Sequence, residues 1–366
     1  MRFIISGGGT GGHIYPAISV IEELKSRDAD CKILYVGTKN GLESDIVPKL
    51  GIDFRSIHVR GIPRKLSIDT FRSANELQKG LREAKKIIRE FKPDLVFGTG
   101  GFVTGPVLYQ AHRLKIKTAF HEQNSYPGMA NRIISNFADR YFVTFGNSIK
   151  YFKNKDRAII TGNPLRKSFK NIDENKDDNY KIYNIDKTKK VVFAVGGSNG
   201  SYSLNQVILG MNNMVKNQDK FEIILATGKN YFDQVKKDLG DISNIHIYPY
   251  IDEIDKVYSI SDLIITSSGA ITLSELSYLG KASILIPKSY TTENHQVHNA
   301  KSFEDQGAAV MILEDDLNSD SLFKTISEII EDDKKLKSLS ENSKKLSAPN
   351  AALDIVDGLY GLLNNE

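Results

Sequence analysis

The chain has 366 residues, of which 40% are hydrophobic and 26% are charged, as is typical of a soluble globular protein of roughly two to three domains. Its single cysteine, Cys31, excludes an internal disulfide framework and a multi-cysteine zinc site, and favours a reducing compartment. The net charge of +4 is uneven, because residues 1–150 hold 23 Lys and Arg against 14 Asp and Glu, whereas residues 151–366 hold 26 against 31.

The first half alternates short apolar runs with helical patterns. Helices are predicted to begin near Pro16, Leu42, Asp69, Gly105 and Gly128. The predicted strands are 2–6, 32–36, 54–58, 95–97, 118–120 and 141–143. This alternation of strand and helix predicts a parallel sheet that is covered on both faces.

The same pattern restarts in the second half. Residues 163–190 are rich in Asn, Asp, Lys and Tyr and are interpreted as the connection between two domains. The predicted strands that follow are 190–195, 222–226, 246–248, 263–266, 283–286 and 310–313, and the last predicted helices are 319–331, 334–346 and 350–363. We therefore predict an α/β protein with domains at 1–162 and 163–345 and a C-terminal helix in 346–366 that could pack back on the first domain.

A glycine-rich loop follows the first predicted strand. Its glycines allow a tight turn and a close approach to a ligand, and Pro16 suits the first position of the next helix. The spacing Gly7-x-Gly9-x-x-Gly12 matches the dinucleotide fingerprint, which also needs an acidic residue just after the second strand. The first acid there, Glu43, comes several residues too late. A nicotinamide oxidoreductase is therefore disfavoured.

Similar turns recur at the ends of four predicted strands, at 7–12, 98–101, 196–200 and 267–270. In open α/β sheets, ligands bind beyond the carboxyl ends of the strands. We therefore expect the four turns to line one cleft between two doubly wound domains.

Six motifs in order resemble the MurG family of bacterial glycosyltransferases. They are GGTGGHIYP at 8–16, GTGG at 98–101, HEQN at 121–124, TGNP at 161–164, GGS at 196–198 and SGAITLSE at 268–275. The family transfers N-acetylglucosamine from UDP to the muramyl-pentapeptide pyrophosphoryl-undecaprenol carrier, which makes lipid II for peptidoglycan synthesis. The resemblance implies a GT-B fold of two Rossmann-like domains, inversion at the anomeric carbon, and neither a cofactor nor an obligatory metal ion.

The same resemblance implies the residues that bind the substrates. Some of these residues are glycines and polar residues of the first half of the chain. The others come from the second half, which holds the nucleotide-sugar. They are Thr10, Gly11, Gly12, Asn124, Arg166, Ser198, Ile251, Ala270, Ile271, Thr272, Glu275 and Gln296.

Four residues in or near these motifs also have a structural interpretation. Glu275 could complete a capping box that begins at Thr272, instead of accepting hydrogen bonds from the ribose of UDP. Arg166 could be an ordinary solvated cation rather than a clamp on the diphosphate. His121 and Glu122 follow an apolar run, so a satisfied core pair is the simplest interpretation of them.

His13 is the candidate catalytic base. An inverting transfer needs a group that takes the proton from the attacking 4-hydroxyl of the muramyl sugar. His13 lies at the start of a predicted helix, whose positive end disfavours the imidazolium form and so favours the neutral form that a base requires. Glu122 is the next candidate.

A basic, amphipathic segment predicts binding to an anionic membrane surface. Residues 60–92 contain ten Lys and Arg against four Asp and Glu. We expect a peripheral protein on the cytoplasmic face of the membrane, with no nucleic-acid partner, because the acceptor carries a polyprenyl tail. The candidate contact residues are Arg64, Lys65, Phe71, Leu77 and Leu81.

Two other functions remain open at this point. A UDP-N-acetylglucosamine 2-epimerase has the same two-domain architecture, but it lacks the GGTGGH opening and needs no lipid-facing surface. A non-catalytic subunit that binds a nucleotide-sugar would need no base such as His13.

Overall fold

The computed structural model describes residues 1–61, 68–165, 169, 172, 176–197, 199–240, 244–290 and 292–364, apart from the side chains of residues 68–72, 74 and 292. The chain divides into two compact units. Unit 1 contains residues 1–166 and 348–366, and unit 2 contains residues 167–347. The domain limits drawn from the sequence were 162 and 345.

Unit 1 is built on a parallel sheet of seven strands. The strands are β1 (Arg2–Gly7), β2 (Lys32–Thr38), β3 (Asp53–Ile57), β4 (Leu95–Gly100), β5 (Lys117–Glu122), β6 (Arg140–Val143) and β7 (Ala158–Ile160). Their order across the sheet is β3-β2-β1-β4-β5-β6-β7. Phe3, Ile4 and Ile5 of β1 are completely buried, as expected for a parallel strand that is covered on both faces.

Helices cover both faces of this sheet. They are α1 (Gly11–Arg27), α2 (Glu43–Lys49), α3 (Ile68–Phe91), α4 (Thr104–Arg113) and α5 (Met129–Ile134), with short 3-10 segments at Gly146–Tyr151 and Lys155–Arg157. One core cluster joins residues of α1 and β1 to the last helix of the chain. The other lies among α3, α4 and the opposite face of the sheet.

Unit 2 repeats the architecture with a parallel sheet of six strands. These are β8 (Lys190–Val195), β9 (Phe221–Ala226), β10 (Ile245–Tyr248), β11 (Leu263–Thr266), β12 (Ala282–Leu285) and β13 (Val310–Met311), in the order β10-β9-β8-β11-β12-β13. The helices are α6 (Lys176–Ile182), α7 (Tyr202–Gly210), α8 (Asn212–Lys216), α9 (Phe232–Leu239), α10 (Ile254–Ile260), α11 (Ala270–Leu279), α12 (His295–Glu304), α13 (Ser319–Ile330) and α14 (Asp333–Lys345), with 3-10 segments at Thr292–Asn294 and Glu314–Asp316. The prediction of two doubly wound parallel-sheet domains is confirmed.

The last helix, α15 (Ala351–Leu363), belongs to unit 1 although it follows unit 2 in the chain. Ile355 and Leu359 are completely buried in the core cluster that also contains Phe3 and Ile5. Arg140 donates a hydrogen bond of 3.1 Å from Nη1 to the carbonyl of Gly358. A side chain at Gly358 would come within 2.4 Å of the Phe142 ring, so glycine allows the helix to approach the sheet closely.

Each sheet has a point at which the chain changes direction across the sheet. In unit 1 this point lies between the neighbouring strands β1 and β4, and in unit 2 it lies between β8 and β11. The connections after these strands diverge, which leaves a crevice at the carboxyl ends of the strands. The four glycine-rich or serine-rich turns predicted from the sequence follow these four strands.

Three local expectations were wrong. Helix α1 begins at Gly11, so Pro16 lies inside the helix rather than at its first position. Residues 167–190, which were interpreted as part of the connection between domains, belong to unit 2 and contain helix α6, and the first sheet has a seventh strand, β7. Among the helices that the structure describes, none is both long and apolar enough to cross a membrane.

Candidate active site

The loop between β1 and α1 packs directly on the loop that follows β4. The backbone N–H of Gly8 donates to the carbonyl of Gly100 over 3.3 Å. Gly101 has a φ of 84°, and a side chain there would come within 2.3 Å of the Gly8 carbonyl oxygen. Glycine is therefore required at Gly101 both for the backbone conformation and for the close contact.

Glu43 holds the glycine loop from inside. Its completely buried carboxylate accepts hydrogen bonds from the N–H of Gly9 (3.1 Å) and from the N–H and hydroxyl of Thr38 (2.8 and 2.7 Å). A side chain at Gly8 would lie only 2.4 Å from Oε1 of Glu43. Glu43, which lies too far along the sequence to be the ribose-binding acid of a dinucleotide site, is thus a structural partner of the loop. Sequence reasoning missed this role because the two segments meet only in the folded sheet.

The backbone around His13 determines which of its ring nitrogens is protonated. His13 is the third residue of α1, and its Nδ1 lies 3.0 Å from the carbonyl oxygen of Thr99 and 3.3 Å from Oε1 of Gln123. Both of these oxygens are acceptors, so Nδ1 carries the proton of the neutral ring. Nε2 then carries the lone pair and is the ring atom that can accept a proton.

Gln123 and His121 extend this arrangement into the core. Nε2 of Gln123 donates to the Thr99 carbonyl (2.7 Å) and to Nδ1 of His121 (3.1 Å), which turns Oε1 of Gln123 towards His13. Nε2 of His121 in turn donates to the carbonyl of Gly162 over 2.9 Å. The chain of hydrogen bonds is consistent only with a neutral His121 that is protonated on Nε2.

Burial keeps His121 neutral. The pKa of His121 is lowered from 6.5 to about 4. Complete burial is the main cause and the nearby His13 adds to it, whereas the hydrogen bond to Gly162 acts to raise the pKa. The interpretation of His121 as a satisfied core residue therefore agrees with its surroundings.

Glu122 organises the turn that carries Asn124. Its carboxyl group accepts from the N–H and side chain of Asn124 (2.9 and 3.3 Å), the N–H of Gly128 (3.1 Å) and the side chain of Asn131 (2.8 Å). Burial raises the pKa of Glu122, and these hydrogen bonds oppose that rise. With four donors on one buried carboxyl group, Glu122 is a scaffold for the half-buried Asn124.

The corresponding loops of unit 2 are also closely packed. Gly200 has a φ of 77°, and its N–H donates to the carbonyl of Gly197 over 2.9 Å. A side chain at Gly200 would come within 2.0 Å of the Thr227 carbonyl oxygen. Ser201 then caps α7, because its hydroxyl accepts from the N–H of Leu204 over 3.3 Å.

The second crevice loop of unit 2 is tied to α12. The hydroxyl of the buried Ser268 donates to the carbonyl of Gln296 over 2.7 Å, and Asn299 donates from its amide to the carbonyl of Ser268 over 3.1 Å. Oε1 of Gln296 accepts from the N–H of Lys288 over 3.0 Å. Gln296 therefore links the loops that follow β11 and β12.

The structure contradicts the capping box proposed for Glu275. Helix α11 begins at Ala270 after the N-cap residue Gly269, so Thr272 lies within the first turn and is not an N-cap. Ala270, Ile271 and Thr272 form that first turn, directly after the crevice loop. Glu275 is buried one turn further along the helix.

Several predicted residues cannot be placed. Arg166, Ser198, Arg64 and Lys65 lie outside the described residues, as does the side chain of Phe71. Ile251 lies just beyond the carboxyl end of β10, and Thr10, Gly11 and Gly12 form the N-cap and first residues of α1.

Within the described part of the chain, no three His, Cys, Asp or Glu side chains cluster in a way that could hold a metal ion.

Comparison with known proteins identifies the family. The chain is 64% identical to the UDP-N-acetylglucosamine--N-acetylmuramyl-(pentapeptide) pyrophosphoryl-undecaprenol N-acetylglucosamine transferase of Finegoldia magna, over 100% of this chain and 99% of the relative. The chain belongs to the MurG family of glycosyltransferases. An Oenococcus oeni member with the same description is 43% identical over 99% of this chain and 96% of its own length.

Domain and structure comparisons agree with membership of the MurG family. The glycosyltransferase family 28 N-terminal domain matches residues 3–143, and the family 28 C-terminal domain matches residues 191–355. The crystal structure of Acinetobacter baumannii MurG is 25% identical, with a TM-score of 0.79, and covers 100% of this chain and 99% of its own. The two-domain fold is therefore of the GT-B type.

The epimerase alternative shares only the fold. A UDP-GlcNAc 2-epimerase from Neisseria meningitidis has a TM-score of 0.70 at 17% identity, over 98% of this chain and 100% of its own. The MurG family match makes this chain a glycosyltransferase, so neither the epimerase nor the non-catalytic subunit is retained.

We predict that His121 makes stability depend on pH. Its pKa is lowered from 6.5 to about 4, so the unfolded chain binds more protons between these values. The stabilisation is therefore complete above about pH 6.5 and is lost as the pH falls towards 4. Between pH 7 and pH 5, this residue should lower the free energy of unfolding by about 2 kcal/mol.

Urea denaturation of His121→Gln at both pH values tests this prediction. The variant should lose that part of the pH dependence. His112→Gln, at an exposed position of α4, is the control and should behave like the unmodified protein. Equal pH dependence in all three proteins would contradict the prediction.

Proposed function

We propose that this glycosyltransferase moves N-acetylglucosamine from UDP-N-acetylglucosamine to the 4-hydroxyl of the muramyl sugar of undecaprenyl-pyrophosphoryl-MurNAc-pentapeptide. This reaction converts lipid I to lipid II in the synthesis of peptidoglycan precursors. The observation that carries the proposal is the position of His13, whose Nδ1 faces the Thr99 carbonyl in the crevice loop of a MurG-family chain.

His13 is the proposed general base. Its Nε2 takes the proton of the 4-hydroxyl while that oxygen attacks the anomeric carbon of the donor. The bond from this carbon to the β-phosphate oxygen breaks, and UDP leaves with the electron pair. Direct displacement inverts the anomeric configuration. The Thr99 carbonyl and Gln123 orient the ring, which keeps the lone pair on Nε2.

Unit 2 supplies the proposed donor site. Its assigned contacts are Ser198, Ile251, Ala270, Ile271, Thr272, Glu275 and Gln296. Arg166, which belongs to unit 1, is assigned to the diphosphate. Glu275 accepts hydrogen bonds from the ribose hydroxyls. In unit 1, Thr10, Gly11, Gly12 and Asn124 are the assigned substrate contacts around His13.

The direct test of the function is release of UDP. The protein is incubated with UDP-N-acetylglucosamine, with and without a lipid-linked or short-chain muramyl acceptor. UDP should form only when the acceptor is present, together with the disaccharide product. Conversion of the donor to its 2-epimer without acceptor would instead indicate an epimerase and refute the proposal.

Replacement of the base should affect turnover far more than donor binding. We expect His13→Gln to lower kcat roughly 10²- to 10⁴-fold, because the hydroxyl loses its proton acceptor, while the donor KM stays nearly unchanged. His58→Gln, an exposed histidine of unit 1 that pairs with Glu83, is the control and should retain its activity. A loss of only a fewfold in the His13 variant would remove His13 from this role.

Replacement of Glu275 should affect the donor alone. Glu275→Gln should raise the donor KM about tenfold or more, because a neutral amide is a weaker acceptor for the ribose hydroxyls than a carboxylate. The acceptor KM should not change. Ser277→Ala, at a buried position on the same helix, controls for disturbance of α11. If both variants lose stability but keep the donor KM, Glu275 has only a structural role.

We also propose that the protein binds peripherally to the cytoplasmic face of the membrane. Helix α3 presents four exposed cations, Arg82, Lys85, Lys86 and Arg89, which line an open groove of about 320 Å³ together with one anion, Glu90. Each cation near an anionic leaflet contributes about 1 kcal/mol of binding. The half-buried Leu77 and Leu81 lie on the same helix, which supports a docking surface in unit 1.

Vesicle sedimentation at low salt tests the docking surface. The protein should bind vesicles that contain anionic lipid, and changing the four cations of α3 to Gln should abolish most of that binding. A control variant carries the same number of changes to Gln on exposed unit 2 lysines. These are Lys301, Lys324, Lys334 and Lys337. Equal binding by both variants would contradict docking through α3.

A further inference from the structure

Lys288 lies over the glycine loop of unit 2 but is absent from the assigned donor contacts. It follows β12, and its Nζ lies 3.5 Å from the carbonyl oxygen of Gly200. A side chain at Gly197 would face two groups, Oγ of Ser267 at 3.6 Å and Nζ of Lys288 at 3.7 Å. The ammonium group is therefore at the crevice between β8 and β11, where the sheet changes direction.

The backbone of Lys288 is held in place by the residues around it. Its N–H donates to Oε1 of Gln296, one of the proposed donor contacts. The next residue, Ser289, donates from its N–H and from its hydroxyl to Oε2 of Glu314, at 3.0 Å each. Oε1 of Glu314 accepts from the hydroxyl of Ser203 in the first turn of α7, at 2.6 Å. The Lys288 loop is thus tied to the helix that begins at the glycine loop.

Glu314 is a stable anion in this arrangement. Burial acts to raise the pKa of Glu314, but hydrogen bonds from Ser203 and Ser289, with the charge of Lys288, outweigh it and lower the pKa overall. Both oxygens of the carboxylate are engaged by serine donors. The ring of Tyr290 lies 5.8 Å from Nζ of Lys288, within the range of a cation–π contact.

A nucleotide diphosphate matches this environment. A glycine-rich turn at the start of a helix presents backbone N–H groups, and α7 has nine residues. The donor carries two phosphates, and negative charge grows on the β-phosphate oxygen as its bond to the sugar breaks. A fixed ammonium group at the same turn stabilises both the bound diphosphate and the charge on the leaving group.

We propose that Lys288 is a further donor-binding residue, whose ammonium group contacts the diphosphate of the nucleotide-sugar and of the departing UDP. This inference rests on the proposed function. In the absence of the donor, Nζ caps the Gly200 carbonyl; in the complex it turns to the phosphate oxygens, while the uridine is bound by other residues of unit 2.

The test compares the binding of UDP and of uridine by calorimetry. Lys288→Gln removes the charge and leaves a neutral amide on a side chain that is one bond shorter. We expect its affinity for UDP to fall roughly 10- to 100-fold, because a charge-assisted hydrogen bond to phosphate is lost. Its affinity for uridine should stay within about twofold. Lys288→Arg, which restores the cation, should recover much of the affinity for UDP.

Lys281→Met is the matched control. Lys281 precedes β12, at the opposite end of the strand from Lys288, and its Nζ donates to the Ser261 carbonyl over 2.8 Å. This variant loses a comparable contact and should bind UDP normally. An equal loss of UDP and uridine affinity in Lys288→Gln, or no loss of either, would overturn the inference. If the unmodified protein binds neither ligand, the proposed function fails instead.

Discussion

The carboxylate of Glu43 lies inside the glycine loop of unit 1 and accepts three hydrogen bonds without contact with solvent. A buried donor without its acceptor costs roughly 1–3 kcal/mol, so the loop and Thr38 depend on this one side chain. The carboxylate also explains Gly8 and Gly41, where any side chain would collide with it. With the loop fixed, the β4 loop packs on it and places the Thr99 carbonyl against His13. The tautomer of the proposed base therefore follows from an acid that takes no part in the chemistry.

Each unit has a crevice of the same kind, and we propose a different chemistry for each of them. In unit 1 the loops after β1 and β4 surround an imidazole whose Nδ1 is held by the oxygens of Thr99 and Gln123. In unit 2 the loops after β8 and β11 lie beside Lys288, and no histidine takes the corresponding position among the described residues there. The fold thus supplies the same set of backbone groups twice, and the proposed proton transfer in unit 1 and anion binding in unit 2 depend on a few side chains.

The sequence was sufficient to predict the central strands of both sheets, but not every element around them. Strands such as β1 and β8 are continuous apolar runs, because both faces are buried, and their limits were predicted to within about a residue. Helix α6 and the short strand β7 carry little periodicity of their own and are stabilised by tertiary packing. At Glu275 a local pattern was misleading, because α11 begins two residues before Thr272 and no cap can form there.

The candidate site could also be predicted only in part from the sequence. The sequence indicated His13 and the crevice loops because they belong to contiguous motifs at strand ends, and the catalytic role of His13 stays a prediction. Glu43 and Gln123 act through partners that are 34 and 110 residues away, and no spacing rule connects them. Lys288 has no motif of its own, and only its distance from Gly200 distinguishes it from the other lysines of unit 2.

The position of α15 has a consequence for synthesis of the protein on the ribosome. Ile355 and Leu359 fill the core of unit 1, yet they are translated only after the whole of unit 2. Unit 2 has all of its described strands and helices before that point, whereas the sheet of unit 1 must wait with part of one face uncovered. Exposed apolar strands in a nascent chain are sites of aggregation and of chaperone binding. Unit 1, which carries His13, is therefore completed only after unit 2, and a stop codon just before α15 would damage unit 1 while leaving unit 2 intact.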